Sequence, residues 1–318
     1  MKKSEQPEDL LRYLQNKILR KYMEIEYDHQ TFENSALADL LACSNIQLGN
    51  QQNSVLKTGF ASIDQDLGGF FPGELIAIGG RVSMGKTQFM LQIALQMAEK
   101  YPVQFFSFDL SLPMLTMRIQ AYLTGISVDK SLLHPLTKEE KQTLLDGLEL
   151  GPKRTIHFST SGKFSFEKWE EFCVQEIKAK GIKVVFIDDL LAMKIHPYES
   201  QEPAHYQIIS NTLKRIAQKY QVCIVYSIPL HGLLPLRGGD MLPYLHDLKF
   251  FDVLEEDLDK VFLLHQPAYY GYHVTEMGHS TENLVELFLR KNRHGHLNHY
   301  HFMRNAQCTD FQEIEKRE

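Results

Sequence analysis

The chain has 318 residues, 43% hydrophobic and 23% charged, the composition of an ordinary soluble globular protein able to bury at least one full core. With 34 Lys and Arg against 40 Asp and Glu, its formal net charge of −6 argues against coating nucleic acid by bulk charge, while leaving room for a local basic groove. Cys43, Cys173, Cys223 and Cys308 lie far apart with no CxxC pair, so neither a zinc site nor a disulfide framework is indicated.

The N-terminus carries two lysines but no continuous apolar stretch, and no segment reaches the roughly 18 apolar residues of a membrane span. The expected location is cytoplasmic, with no membrane partner. Leu10, Leu11, Leu14, Ile18, Tyr22 and Ile25 recur at helical spacing and predict an amphipathic helix over 8–26, with Pro7 at its start. A short helix near Ala36 to Leu41 follows, and the polar, Asn/Gln-rich run from Ser44 to Ser54 reads as a linker. The expected division is 1–56, a helical segment and linker, and 57–318, the main domain.

From about Thr58, short apolar runs alternate with amphipathic patterns, which predicts βαβ units and a parallel sheet. The runs are LIAIG (75–79), VQFFSFD (103–109), TIHFS (155–159), KVVFID (183–188), VCIVYS (222–227) and KVFLLH from Lys260. One helical stripe runs through Phe89, Met90, Ile93, Ala94, Met97 and Ala98, and another through Tyr206, Ile209, Leu213, Ile216, Ala217 and Tyr220; both should lie on the sheet. Asn283 to Met303 reads as an antiparallel hairpin at a sheet edge, turning at His294-Gly295. Trp169, Phe164, Phe166 and Phe172 read as core residues on a helix face and not as base-stacking platforms.

GRVSMGKT, from Gly80 to Thr87, fits GxxxxGK[ST] and falls between a strand and a helix, where a phosphate loop belongs. In such a loop the backbone N–H groups of Gly80, Arg81, Ser83, Met84 and Gly85 and the helix N-terminus face the anion, Lys86 supplies charge, and Thr87 ligates Mg²⁺. Asp188 ends the run VVFID, and an aspartate at the tip of a buried strand beside the phosphate-loop strand can hold the Mg²⁺ water shell.

The flanking sequence narrows the family. TGFASIDQDLGGFFPGELIAIGGRVSMGKT (58–87), FFSFDLSLPMLTMR (105–118), VVFIDDLLAM (184–193), LKRIAQKYQVCIVYS (213–227), HDLKFFDVLEEDLDKVFLLH (246–265) and LFLRKNRHG (287–295) occur in the order found in DnaB-type replicative helicases. The resemblance covers roughly residues 57 to 313 and is to the RecA-like C-terminal ATPase domain of that family. The family's helical N-terminal domain, of about a hundred residues, is expected to be absent, with 1–56 comparable to the linker region.

The resemblance implies an α/β fold: a RecA-like P-loop NTPase with a mostly parallel central sheet, flanking helices and an antiparallel C-terminal edge hairpin. It implies ATP and Mg²⁺ as ligands of Lys86, Thr87 and Asp188, and a ring, expected to be hexameric, with ATP at subunit interfaces. There Lys291 and Arg293 of a neighbour would reach the γ-phosphate, an arginine finger being worth on the order of 10³ to 10⁵ in rate. Asp109 falls where the family carries its catalytic glutamate; aspartate keeps the charge but shortens the arm by about 1.5 Å, while a general base must come within roughly 3 Å of its water. Asp189 is a rival for that role, since many other P-loop ATPases place their acid there.

The family's Ser-Gln sensor pair is Ser227-Ile228 here, and isoleucine relays no hydrogen bond. Ile228 to Glu256 corresponds to the region supplying a DNA-binding loop; it offers Arg237 and Lys249 as phosphate contacts against Asp240, Asp247, Asp252, Glu255 and Glu256. His294, His296, His299 and His301 form a cluster in which His299 and His301 share a strand face, yet no carboxylate or cysteine accompanies them at ligand spacing, so an exposed polar strand is expected. The functional expectation is an ATP-driven DNA helicase-like motor moving on single-stranded DNA in replication, with a loader or primase as further partners. The alternative is a catalytically weak RecA-like ATP-binding regulatory or helicase-accessory protein.

Overall fold

The computed structural model describes residues 55–314, apart from 150–153, 161–164, 194–201, 233–240, 276–277, 306 and 308. The helix expected over 8–26 and the linker after it lie outside the described residues. Leu56 and Phe70 exchange backbone hydrogen bonds of 2.8 Å around α1 (Ala61–Leu67), and the chain then enters β1 (Leu75–Gly80), α2 (Lys86–Met97) and β2 (Val103–Ser107). Helices α3 (Leu112–Thr124), α4 (Val128–Leu133) and α5 (Lys138–Glu149) lead to β3 (Ile156–Ser159). Next come α6 (Phe166–Lys180), β4 (Val184–Asp188), α7 (Pro203–Tyr220), β5 (Cys223–Pro229), α8 (Phe251–Leu254) and β6 (Lys260–His265). Three antiparallel strands, β7 (Leu284–Asn292), β8 (Asn298–Arg304) and β9 (Phe311–Glu313), complete the order.

Among the described residues these strands make one sheet in the order β3-β2-β4-β5-β1-β6-β7-β8-β9, parallel from β3 through β6 and antiparallel beyond. Every residue of β1, β2 and β4 is buried, which is why they read as continuous apolar runs: helices cover a parallel sheet on both faces. The order corrects one expectation. β4 is not beside β1, because β5 lies between them, so Asp188 and the phosphate loop are separated by the width of a strand.

One face of the sheet packs under α1 and α2, with Phe60, Phe89, Phe302 and Phe311 joined by ring contacts of 4.9 to 5.4 Å. The other packs under α6 and α7, where Trp169, Cys173, Tyr206, Leu213 and Ile216 are buried. Pro203 opens α7 at a position where a missing N–H costs nothing. Helix α2 is covered on more than its apolar stripe. Gln88 and Gln92 are also buried: Gln92 Nε2 donates to the Phe311 carbonyl at 2.9 Å, its Oε1 accepts from Phe311 N at 2.8 Å, and Gln88 Nε2 donates to the Thr309 carbonyl at 2.6 Å. The C-terminal strand is thereby fastened to the phosphate-loop helix. Among the described residues no helix is long and apolar enough to cross a membrane.

Candidate nucleotide-binding site

The loop from Gly80 to Thr87 leaves the C-terminal end of β1 and feeds α2. Ser83 (φ 66°) and Gly85 (φ 84°) both take the left-handed conformation, the kind of alternation that curls successive amides around an anion. Gly85 is required twice over, by its φ and because a Cβ there would lie 3.1 Å from Phe311 Cζ. Lys86 Nζ donates to the carbonyls of Gly80 at 2.8 Å and Arg81 at 3.1 Å. Burial pulls its pKa down, and the charges of Asp189, Asp188 and Asp109 oppose that shift.

Asp188, at the tip of β4, is 2% exposed. Ser227 on β5 spans the intervening strand and donates to Asp188 Oδ1 at 2.6 Å, while Oδ2 is buried with no hydrogen-bond partner. Burial raises the Asp188 pKa and the Asp109 charge adds to it; hydrogen bonds from Ser227 and Thr87 and the Lys86 charge resist. A buried carboxylate with an orphaned oxygen beside a threonine hydroxyl suits a hard divalent cation.

The backbone pins Asp109 to the same place. β2 stops at Ser107, two residues short of the expected run, and Phe108 N donates to the Asp188 carbonyl at 2.7 Å, so the bend carrying the exposed Asp109 is tied to the tip of β4. Asp189 is occupied locally: its Oδ1 accepts from Leu191 N at 2.6 Å and caps a turn of 3-10 helix. Burial, with the charges of Asp109 and Asp188, pushes its carboxyl up to about 6.

A cavity of about 330 Å³ opens at the loop, lined by Ser83, Lys86, Thr87, Arg118, Arg304 and Phe311 among others. Arg118 on α3 and Arg304 at the end of β8 went unmarked in the sequence, where neither sits in a phosphate-binding pattern. Arg304 Nε is buried without a hydrogen-bond partner, so this wall offers an uncommitted donor to an anion.

Lys291 and Arg293 lie elsewhere, Lys291 near the end of β7 and Arg293 in the turn after it. Lys291 Nζ donates to the Glu255 carbonyl and Arg293 Nη2 to the Glu256 carbonyl; Arg293 Nη1 is 3.5 Å from Asp259 Oδ1. Burial lowers the Lys291 pKa. Both cations face their own chain's acidic segment and not its phosphate loop. Lys249 packs its ammonium 5.1 Å from the Phe250 ring centre, and its backbone N donates to the Pro229 carbonyl at the end of β5. Arg237 lies outside the described residues.

The histidine cluster departs from expectation. His299 and His301 do share a face, but they are part-buried, and Glu286 on β7 supplies the carboxylate that spacing within β8 does not reveal.

A parallel sheet with a phosphate loop after β1, a buried aspartate at the tip of β4 and a cationic cavity wall define a P-loop nucleotide-binding protein of RecA-like fold. Residues 55–313 match the model of the DnaB-like helicase C terminal domain, and the chain belongs to that family. It is 25% identical to the replicative DNA helicase DnaB of Haemophilus influenzae over 275 residues, 82% of this chain and 56% of that protein. The Geobacillus stearothermophilus DnaB is 25% identical over 297 residues, 91% of this chain and 64% of the relative. The chain thus spans a little over half the length of these relatives. One solved ATPase domain superposes with a TM-score of 0.77 at 21% identity, covering 88% of this chain and 99% of that one. A DnaB-like replicative helicase, solved in a study of its interactions with primase, gives the same score at 20% identity over 97% of this chain and 72% of its own. These likenesses show the fold.

Proposed function

We propose that this chain is the Mg²⁺-dependent ATPase motor of a DnaB-type helicase, working as a ring, expected to be hexameric, that couples hydrolysis at subunit interfaces to movement along single-stranded DNA in replication. The observation that carries the reading is Asp188: buried, orphaned at Oδ2, and beside Thr87 and Lys86. Thr87 and Asp188 would hold Mg²⁺, which when bound neutralises phosphate charge. Lys86 exchanges its two loop carbonyls for the β- and γ-phosphates of ATP, and Arg118 and Arg304 lend charge to the cavity wall. Asp109, pinned against the tip of β4, takes the proton of the attacking water. Asp189 suits that role less, because its Oδ1 is spent on the Leu191 cap. Lys291 and Arg293 act on a neighbour's γ-phosphate, Arg237 and Lys249 contact DNA, and a primase or loader is the expected further partner.

A second reading, a weak ATPase acting as a regulatory or accessory factor, is favoured by the short side chain and exposure of Asp109. Steady-state ATP hydrolysis with and without single-stranded DNA, for the wild type, Asp109→Glu and Asp109→Asn, separates the two. The motor predicts stimulation by DNA, loss of turnover in Asp109→Asn and retained or raised turnover in Asp109→Glu. Absent hydrolysis with ATP-driven oligomerisation intact would refute it in favour of the second.

A further inference from the structure

The sheet face formed by β6, β7 and β8 holds a cluster of side chains with no part in the nucleotide site. His265 pairs in register with Glu286, and Glu286 with His301, so the three lie in one row across adjacent antiparallel strands. His299 stands two residues from His301 and returns to the same face. Directly opposed residues on such strands have Cβ atoms about 4.5 to 5.5 Å apart, close enough to share a small ion.

The polar tips converge. His299 Nε2 is 3.5 Å and His301 Nε2 3.8 Å from Glu286 Oε1, and His265 Nε2 is 3.9 Å from the other carboxylate oxygen. One donor atom from each of Glu286, His299 and His301 lies within 4.8 Å of the others. The pocket is sheltered: His299 stacks on Phe288 with ring centres 4.0 Å apart, and His265 on Tyr270 at 5.2 Å.

A purely hydrogen-bonded cluster would close these gaps to about 2.7 to 3.2 Å. Here they stay wider, and His299 Nε2 is buried without a hydrogen-bond partner. A buried, unpaired ring nitrogen is costly, and a cation removes the cost. A tetrahedral ion with bonds of about 2.0 to 2.1 Å sets its ligands roughly 3.4 Å apart, so contacts at 3.5 and 3.8 Å need little contraction. We propose that Glu286, His299 and His301 form a binding site for a first-row divalent transition metal, with Zn²⁺ the best fit, and that His265 holds the second carboxylate oxygen of Glu286 in position. Two imidazoles and one carboxylate are a borderline donor set that disfavours Ca²⁺ and Mg²⁺, which take oxygen cages. The outer imidazole behaves as the partners of metal-bound carboxylates do.

The site joins β7 to β8 five residues before Lys291, about 17 Å along the strand, and so ties the base of the hairpin that carries Lys291 near the end of β7 and Arg293 in its turn. It stands apart from the ATPase reading and would hold if that reading failed.

The test uses the full chain, stripped of metal with a chelator and kept in excess Mg²⁺ to fill the phosphate-loop site. Zn²⁺ is titrated against a chromophoric chelator, and Co²⁺ binding is read from its visible absorption. The expected result is a single tight Zn²⁺ per chain, the intense visible bands of tetrahedral Co²⁺ without a thiolate charge-transfer band, and affinity reduced at least about tenfold in each of Glu286→Gln, His299→Gln and His301→Gln. Circular dichroism and nucleotide binding of the metal-free variants confirm that they fold. Unaltered affinity in folded variants would place the ion elsewhere, on His294, His296 or a thiol, and overturn the site. If the variants do not fold, the wild-type Co²⁺ spectrum decides: weak octahedral bands, a thiolate band or no binding overturns it equally.

Discussion

Ser227→Ala tests how the phosphate-loop site is held together across the strand that separates its halves. The hydroxyl makes a 2.6 Å hydrogen bond to Asp188 Oδ1, and the other carboxylate oxygen has no partner. Removing it leaves a buried carboxylate with only Thr87 and the Lys86 charge in its favour. A hydrogen bond to a charged group contributes about 1.5 to 3 kcal/mol, and each 1.4 kcal/mol is about tenfold in an equilibrium constant. If the same bond orients the carboxylate towards Mg²⁺, the Mg²⁺ concentration that half-saturates nucleotide binding should rise by roughly one to two powers of ten. The assay is Mg²⁺ titration of a fluorescent ATP analogue bound by the wild type, Ser227→Ala, Asp188→Asn and the double variant. Adding Ser227→Ala to Asp188→Asn should change the Mg²⁺ dependence no further, since the carboxylate that the hydroxyl orients is gone. A Ser227→Ala curve that superimposes on the wild type, while the melting temperature falls, would show that the hydroxyl serves the core alone.

Arg293→Ala should reduce turnover on the order of 10³-fold or more in an assembled ring and leave nucleotide affinity of the isolated chain unchanged; equal turnover in the ring removes Arg293 as the finger. Glu74 and Lys260 form a buried ion pair, each 2 to 4% exposed, and Glu74→Gln strands the lysine. That should cost about 3 to 5 kcal/mol, roughly 2 to 4 °C of melting temperature per kcal/mol in a domain of this size, whereas Glu74→Leu with Lys260→Met should lie closer to the wild type. Burial pushes the Asp66 carboxyl up, but hydrogen bonds from Tyr300, Asn298 and His296 outweigh it and hold the group below its usual 3.8. Its stabilisation is present above that value and lost as pH falls through the lower folded value, so Asp66→Asn should melt below the wild type at pH 7, with the gap closing below about pH 4.

Most of the sheet was legible because fully buried parallel strands leave unbroken apolar runs such as LIAIG and VVFID, and the phosphate loop was legible because its glycines and lysine fall between a strand and a helix. Strand order was not. Nothing in the spacing of β1, β4 and β5 says which lies between the others, so the bridging role of Ser227 is visible only in the fold. Arg118 and Arg304 were hidden for the same reason: they meet the loop across more than 30 and 200 residues, and an isolated arginine carries no local pattern. The Glu286 carboxylate is hidden in the sequence because register across a hairpin, and not spacing along one strand, brings it to His299 and His301. Helix α2 showed its apolar stripe, but Gln88 and Gln92 fall off that stripe, and they are held by Thr309 and by Phe311 of β9, some 220 residues away.

That last contact bears on how the protein is made. The helix that begins with Lys86 is synthesised early, yet its outer face waits for Thr309 and Phe311, and Phe311 also walls the cavity at Gly85. A growing chain translated only as far as β8 carries the whole GRVSMGKT loop but leaves two glutamine amides and an aromatic wall unfilled. The cavity at the phosphate loop is therefore complete only after nearly all of the domain has emerged from the ribosome.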